Sequence, residues 1–271
     1  MVLSAPDFFT PPPPTGRRRS IAGGLLLALC LCLCATSLAA QWQEYQAGYA
    51  VYRNGKLIGQ MDYTLSQQAE GRWSLTRVGH GTRGLARLLG AKDNESVEGW
   101  LEAGRFRPEH FSHHSRIAGV DKIWQTAFDW QNRSVTITRG KDVRVLNFAT
   151  DVFDPLSFSF EIQRRLREQE QDLLFYLVDD DEIKQWHYRQ LPRQEVGTAL
   201  GCFSAVPVER MHPQSNRYTR SWLAPALDFL TVRMERGKTN GEHIELRITS
   251  LVFADATETP TTDCAAHAGS P

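Results

Sequence analysis

Three histidines, His110, His113 and His114, lie within a few residues of one another beside Ser112 and Ser115, and they are the densest group of chemically capable side chains in the 271-residue chain. Zinc requires three or four convergent ligands. On a β-strand His110 and His114 point to one face and His113 to the other. A zinc site would therefore need a third same-face ligand such as His80 or His187, and otherwise the run is a polar strand face. Cys202 beside a histidine would make a thiol hydrolase, but no base or oxyanion signal accompanies it. Ser157 reads as a first-turn helix serine bonded to local backbone. Asp179, Asp180, Asp181 and Glu182 lack the spaced ligands and the glycine of a calcium loop, and read as a solvated turn.

Gly79-His80-Gly81-Thr82-Arg83-Gly84 matches the dinucleotide-binding fingerprint letter for letter. Its context does not fit. Leu85 to Leu89 is a short turn stopped by Gly90, and no crossover helix leads to a ribose-binding acid. The stretch reads instead as a glycine-rich link whose Leu85, Leu88 and Leu89 cap a sheet. Catalytic, metal-binding and cofactor-binding residues are therefore assigned to none of these groups. Aromatic side chains give a different lead. All seven tryptophans follow residue 39. Aromatics on a curved sheet either fill a core or line a cavity for a lipid, a glycan or a peptide. Candidate ligand-lining residues are Trp124, Phe128 and Trp130 on one strand face, Trp222 ahead of Leu223-Ala224-Pro225, and Phe158 and Ile162 on the one long helix.

That helix spans about residues 155–168. Asp154 is a suitable N-cap and Pro155 fits the first helical position, where no amide hydrogen is needed. Phe158, Ile162 and Leu166 recur at i, i+4 and i+8, with Glu161, Arg164, Arg165 and Glu168 opposite. Nearly everything else reads as strand. Asn54-Gly55 between two β-rich runs signals a hairpin, because both central residues of such a turn need positive φ. Trp124, Thr126, Phe128 and Trp130 alternate with polar neighbours, as do Leu230, Val232 and Met234, and Ile244, Leu246 and Ile248. Asp172 to Val178 is apolar on both faces, as a covered central strand would be. Many short strands joined by turns imply a mainly β domain. Its sheet would be large, antiparallel and strongly curved, or an open barrel, packed with one α-helix. A two-sheet sandwich is the alternative.

Residues 1–39 read as a signal peptide: Arg17, Arg18 and Arg19, an apolar run from Ile21 to Leu33, and a Ser37-Leu38-Ala39 cleavage pattern. Export to the periplasm with cleavage after Ala39 follows, then a β-rich domain over 40–253 and a disordered tail over 254–271. The chain is formally neutral, with 31 basic and 31 acidic residues. Loss of the leader's three arginines and Asp7 leaves it slightly acidic, which gives no polybasic nucleic-acid footprint. The rest of the chain holds no apolar run long enough to span a bilayer. Two cysteines remain, Cys202 and Cys264, free to pair or to stay apart in an oxidising compartment.

Tyr52-x-x-Gly55-x-x-x-Gly59, Gly84-Leu85, Phe106-x-Pro108, Asp154-Pro155-Leu156-Ser157 and Trp222-Leu223-Ala224-Pro225 occur in that order. The pattern resembles the bacterial exported proteins catalogued as domain of unknown function 3108, over roughly Tyr49 to Leu251. The resemblance implies a β-rich envelope protein and carries no catalytic residues. The first functional reading is a non-enzymatic periplasmic binding or carrier protein for an apolar or amphiphilic envelope ligand, with the helix as lid or plug. The alternatives are a cell-envelope hydrolase using His110, His114 or Cys202, and a structural protein docking on an envelope partner through a sheet edge or the charged helix face. Oligomeric state is left open.

Overall fold

Asn54 and Gly55 both adopt positive φ, 49° and 75°, and the turn they make opens a long antiparallel meander. The computed structural model describes residues 42–254 apart from 213–214. The proposed leader and the proposed disordered tail beyond Ala254 lie outside the described residues. The meander runs β1 (Tyr45–Arg53), β2 (Lys56–Gln67), β3 (Arg72–Gly81), β4 (Lys92–Glu102), β5 (Arg105–Ile117), β6 (Val120–Asp129), β7 (Ser134–Arg139) and β8 (Asp142–Asn147). Then come β9 (Val152–Phe153), β10 (Leu173–Asp179), β11 (Glu182–Gln190), β12 (Gln194–Thr198), β13 (Gly201–Arg210), β14 (Arg217–Ala224), β15 (Leu230–Lys238) and β16 (His243–Phe253). Two α-helices are described, the single turn α1 (Gly84–Leu88) and the longer α2 (Phe158–Arg167).

All sixteen strands join one sheet. Its order is β8-β7-β6-β5-β4-β3-β2-β1-β16-β15-β14-β13-β11-β10-β9, with β12 paired to β13. Only the short β9–β10 pairing is parallel. The closing strand β16 lies against the opening strand β1 along most of its length, so the two halves of the chain meet in the middle of the sheet. A sheet this wide curls rather than lying flat. Its two ends meet through side chains: Val135, Ile137 and Phe128 from β6 and β7 pack with Val152 and Val178 from β9 and β10. The result is an open barrel, as the strand count predicts, closed by an apolar seam.

The strand β10 sits next to the end of the sheet order, not at its centre. It is covered on both faces all the same. Leu173, Phe175 and Leu177 pack under α2, while Val178 and Tyr176 belong to the seam. Its two-sided apolar pattern reports cover, and cover comes here from a helix and from the curl of the sheet.

The helix α2 starts at Phe158, three residues later than the expected 155 and four after Asp154. Asp154 is fully buried, and its Oδ1 accepts from the amides of Leu156 and Ser157 at 2.9 Å each, while Ser157 Oγ donates to Oδ2. The Ser157 hydroxyl is thus spent locally, on the Asp154 carboxylate and not on the backbone group expected from sequence. Phe160 meets Trp42 edge-on at 4.5 Å and Phe106 in a tilted contact at 4.7 Å. Phe106 stands where β4 hands over to β5, so α2 plugs that end of the barrel. Ile162 and Leu166 turn the other way, onto Phe175 and Tyr188. The charged positions are not a solvent face. Glu161 and Arg164 are buried, and Glu161 accepts from Arg164 and Arg165 at 2.8 Å. Burial raises the Glu161 carboxyl, but the two guanidiniums outweigh it and hold it below its usual value. Amphipathic spacing identifies one apolar face and does not show that the opposite face is also covered.

Candidate functional site

Strand pairing sets Tyr63 opposite Arg77, Arg77 opposite Glu95, Glu95 opposite His113, and His113 opposite Trp124. Directly paired residues point to the same side of a sheet. These five side chains therefore form one continuous row across β2, β3, β4, β5 and β6, on the inner face. The row beneath is Leu65, Leu75, Val97, Phe111 and Thr126, all buried. The polar row lies on the side of this core away from α2, toward the hairpin turns at Asn54-Gly55 and Ala118-Gly119.

Within the row the charges are tightly coupled. Arg77 Nη2 lies 2.7 Å from Asp93 Oδ2 and 2.7 Å from Glu95 Oε1. His113 Nε2 is 2.7 Å from Asp93 Oδ1, and its ring stands edge-on to Trp124. Burial pushes the Asp93 carboxyl up, but the His113 hydrogen bond and the Arg77 charge win and hold it low. Glu95 goes the other way, because its burial outweighs Arg77 and its carboxyl is raised. His113 is raised, chiefly by its bond to Asp93, against the opposing effect of burial. Glu95 Oε2 and Trp124 Nε1 in this row, and Thr126 Oγ1 in the row beneath, are buried and make no hydrogen bond within the protein. A buried polar atom left unpaired costs about 1–3 kcal/mol.

Next along the sheet, at the same end, the inner face is apolar. Val51, Met61, Met234 and Ile244, from β1, β2, β15 and β16, are only partly buried where they meet the main core. The inner face at this end thus carries a charged wall and a flexible, methionine-bearing apolar wall. Asp93, Glu95 and His113 are close enough to hold a metal ion, with ligand atoms within 4.8 Å. The Arg77 guanidinium already bridges both carboxylates, and it would repel a cation at that point. The second such group, Glu235, His243 and Glu245, is likewise occupied: Tyr218 Oη is 2.5 Å from His243 Nδ1, and Arg233 and Arg247 pair with Glu245.

The residues named from sequence fall into separate places. Trp124 belongs to the mouth, where the Arg139 guanidinium lies 5.4 Å over its ring. Phe128 and Trp130 stack at 6.1 Å in the seam, and Trp130 Nε1 donates to the Pro108 carbonyl at 2.7 Å. Phe158 and Ile162, both on α2, pack onto Phe175 of β10. Trp222 is buried in the main core, its Nε1 donating to Gln194 Oε1 at 2.8 Å. Of the three clustered histidines, only His113 reaches the inner face. His114 is bound to Asp121 on the outer side at 2.5 Å, and His110 is largely exposed. Cys202 is disulfide-bonded, which removes the thiol that a cysteine hydrolase would need. The Gly-x-Gly-x-x-Gly run starts in β3 and ends at the first residue of α1, which leads into antiparallel β4. Gly81 is required because a Cβ there would stand 2.5 Å from the Ala86 carbonyl carbon. Leu85 and Leu88 do not cap the sheet. Both are exposed, because one helical turn is too short to fold them back.

Residues 45–249 match the family described as protein of unknown function DUF3108. The chain belongs to this family. Among solved structures it is similar to a β-barrel-like DUF1849 protein from Brucella abortus, at 10% identity and a TM-score of 0.53, covering 79% of this chain and 99% of that one. Weaker likenesses are to a protein from Bacteroides fragilis described as exported with a YmcC-like fold, and to one from Parabacteroides distasonis described as a lipoprotein. The first is 12% identical with a TM-score of 0.32, covering 78% of this chain and 97% of that chain. The second is 12% identical with a TM-score of 0.36, covering 78% and 96%. No curated protein matches the chain. The DUF3108 fold is therefore β-barrel-like, and no helix among the described residues is long and apolar enough to cross a membrane.

Proposed function

We propose that this DUF3108 protein is a non-enzymatic binding protein of the bacterial periplasm that holds an amphiphilic envelope molecule in the mouth of its barrel. One observation carries the reading: the inner face away from α2 is split between a charged wall and an apolar wall. On one side stand Arg77, Glu95, His113 and Trp124, with unpaired polar atoms. On the other stand Val51, Met61, Met234 and Ile244, none fully buried. A molecule with a hydrogen-bonding head and a short apolar body matches both walls at once. The core beneath is filled, since Leu75, Val97 and Phe111 are almost wholly buried, so the ligand lies in the mouth and does not pass through the barrel. The helix α2 acts as a fixed plug at the far end. No nucleophile–base pair accompanies the row, which places a hydrolase second.

Purification of the mature protein from its own envelope, followed by solvent extraction and mass spectrometry, tests this directly. A co-purifying amphiphile is the expected result, together with uptake of a fluorescent single-chain amphiphile that weakens in Trp124→Phe and Met234→Ser. Empty preparations combined with no uptake by the wild-type protein would remove the reading.

A further inference from the structure

At the hairpin end of the barrel the chain leaves aliphatic side chains in water that the core does not use. Leu85 and Leu88 on α1 are both more than half exposed, Leu88 at 80%. The Ala118 amide donates to the Leu89 carbonyl at 2.9 Å, tying the β5–β6 turn to the end of α1. That turn adds Ile117, Val120 and Ile123, again each more than half exposed. The platform is rigid. Beside the contact of Gly81 with Ala86, a Cβ on Gly59 would meet the His80 carbonyl oxygen at 2.6 Å, so the backbone is packed tightly beneath α1.

The charge around these side chains is predominantly basic. Arg83, Arg87, Lys92 and Lys122 stand among them, and none makes an ion pair among the described residues. The one acid in residues 83–92 and 116–123 is Asp121, which is held by Arg116 at 2.7 Å and by His114. Exposed aliphatics grouped on a rim of unpaired cations are uncommon on a monomer and mark an interaction surface. A second copy would bring this basic rim against itself in a two-fold contact. We infer that this end of the barrel docks on an anionic phospholipid surface, with Leu85, Leu88, Ile117 and Val120 entering the interface and the arginines and lysines meeting the headgroups. The inference rests on exposure and charge alone, and it stands whether or not the mouth binds a ligand.

The test is sedimentation of the mature protein with vesicles of phosphatidylcholine alone or of phosphatidylcholine mixed with phosphatidylglycerol, at low and high salt. The wild type is expected to pellet with the phosphatidylglycerol vesicles and to be released by salt. Charge reversal in Arg83→Glu/Arg87→Glu is expected to weaken binding by roughly tenfold or more, since each basic residue near such a surface contributes about a fivefold factor. Leu85→Ser/Leu88→Ser, and separately Ile117→Ser/Val120→Ser, should also weaken it while leaving thermal unfolding unchanged, because these positions are exposed. Absence of wild-type binding to phosphatidylglycerol vesicles would overturn the inference. So would undiminished binding by all three variants, or self-association through this patch with no vesicle binding.

Discussion

Arg139 Nη2 lies 2.7 Å from Asp180 Oδ1, joining β7 to the β10–β11 turn across the two ends of the sheet. Arg144 makes a parallel contact with Asp181 at 2.9 Å. The acidic run that reads as a solvated turn thus forms part of the barrel's closure. Beneath these pairs lies the seam of Val135, Ile137, Val152 and Val178. Exposed ion pairs are worth about 0–1 kcal/mol, whereas Ile→Ala in a full core costs about 2–5 kcal/mol. The seam should therefore hold the barrel shut. Arg139→Ala/Arg144→Ala is expected to change the unfolding free energy by less than about 1 kcal/mol per pair. Ile137→Ala should cost about 2–5 kcal/mol by denaturant titration.

Arg77 is the keystone of the mouth. Its removal leaves Glu95 without its paired guanidinium and Asp93 with His113 alone. Breaking a buried pair on one side costs about 3–5 kcal/mol; because Arg77 keeps 19% of its side-chain exposure, Arg77→Ala should cost somewhat less, about 2–4 kcal/mol. The double change Arg77→Met/Glu95→Leu should recover most of that loss. Urea titration of the two variants against wild type reads the difference, and a larger loss in the double variant would show that the charged row is stabilising in itself.

His113 gives the mouth a pH dependence. Asp93 faces it at hydrogen-bonding distance, with Glu95 and Arg77 beside it and Trp124 edge-on. Its folded pKa is raised above 6.5. A raised histidine contributes its full stability below the unfolded value and loses it as pH climbs through the folded value. Unfolding midpoints of the wild type should fall relative to those of His113→Gln as pH rises from below 6.5 through neutrality. A constant difference between the two proteins across that range would contradict the coupling.

Cys202 is disulfide-bonded, and every other cysteine lies outside the described residues. If the leader is removed after Ala39, as its sequence pattern predicts, Cys264 is the one cysteine left to partner Cys202. Peptide mapping without reductant should recover Cys202 joined to Cys264, with no free thiol by alkylation. A linked pair of two Cys264 peptides would point to an intermolecular bridge.

Several features were legible residue by residue, because their causes are local. Asn54-Gly55 demands a turn with positive φ, and the structure has one. Asp154 caps through its own carboxylate, within three residues of the amides it serves. Period-two alternation in Leu230 to Met234 and Ile244 to Ile248 marks faces that do turn inward. Trp124 was legible as an inward-facing aromatic. Its charged companions were not, because they lie on strands whose register depends on turn lengths and on the bulge at Glu98/Gly99.

By itself, the sequence determined the mainly β architecture, the hairpin turns, the single long helix and its cap, since each follows from propensities and periods acting over a few residues. Tertiary structure alone decided that Tyr63, Arg77, Glu95, His113 and Trp124 stand in one row. It also decided that Glu161 and Arg164 are buried and that Asp180 and Asp181 clamp the ends of the sheet. Those outcomes depend on strand register and on the curl of a wide sheet, which bring residues far apart in the chain into contact. Such contacts are set by the packing of the whole sheet, and no local pattern records them.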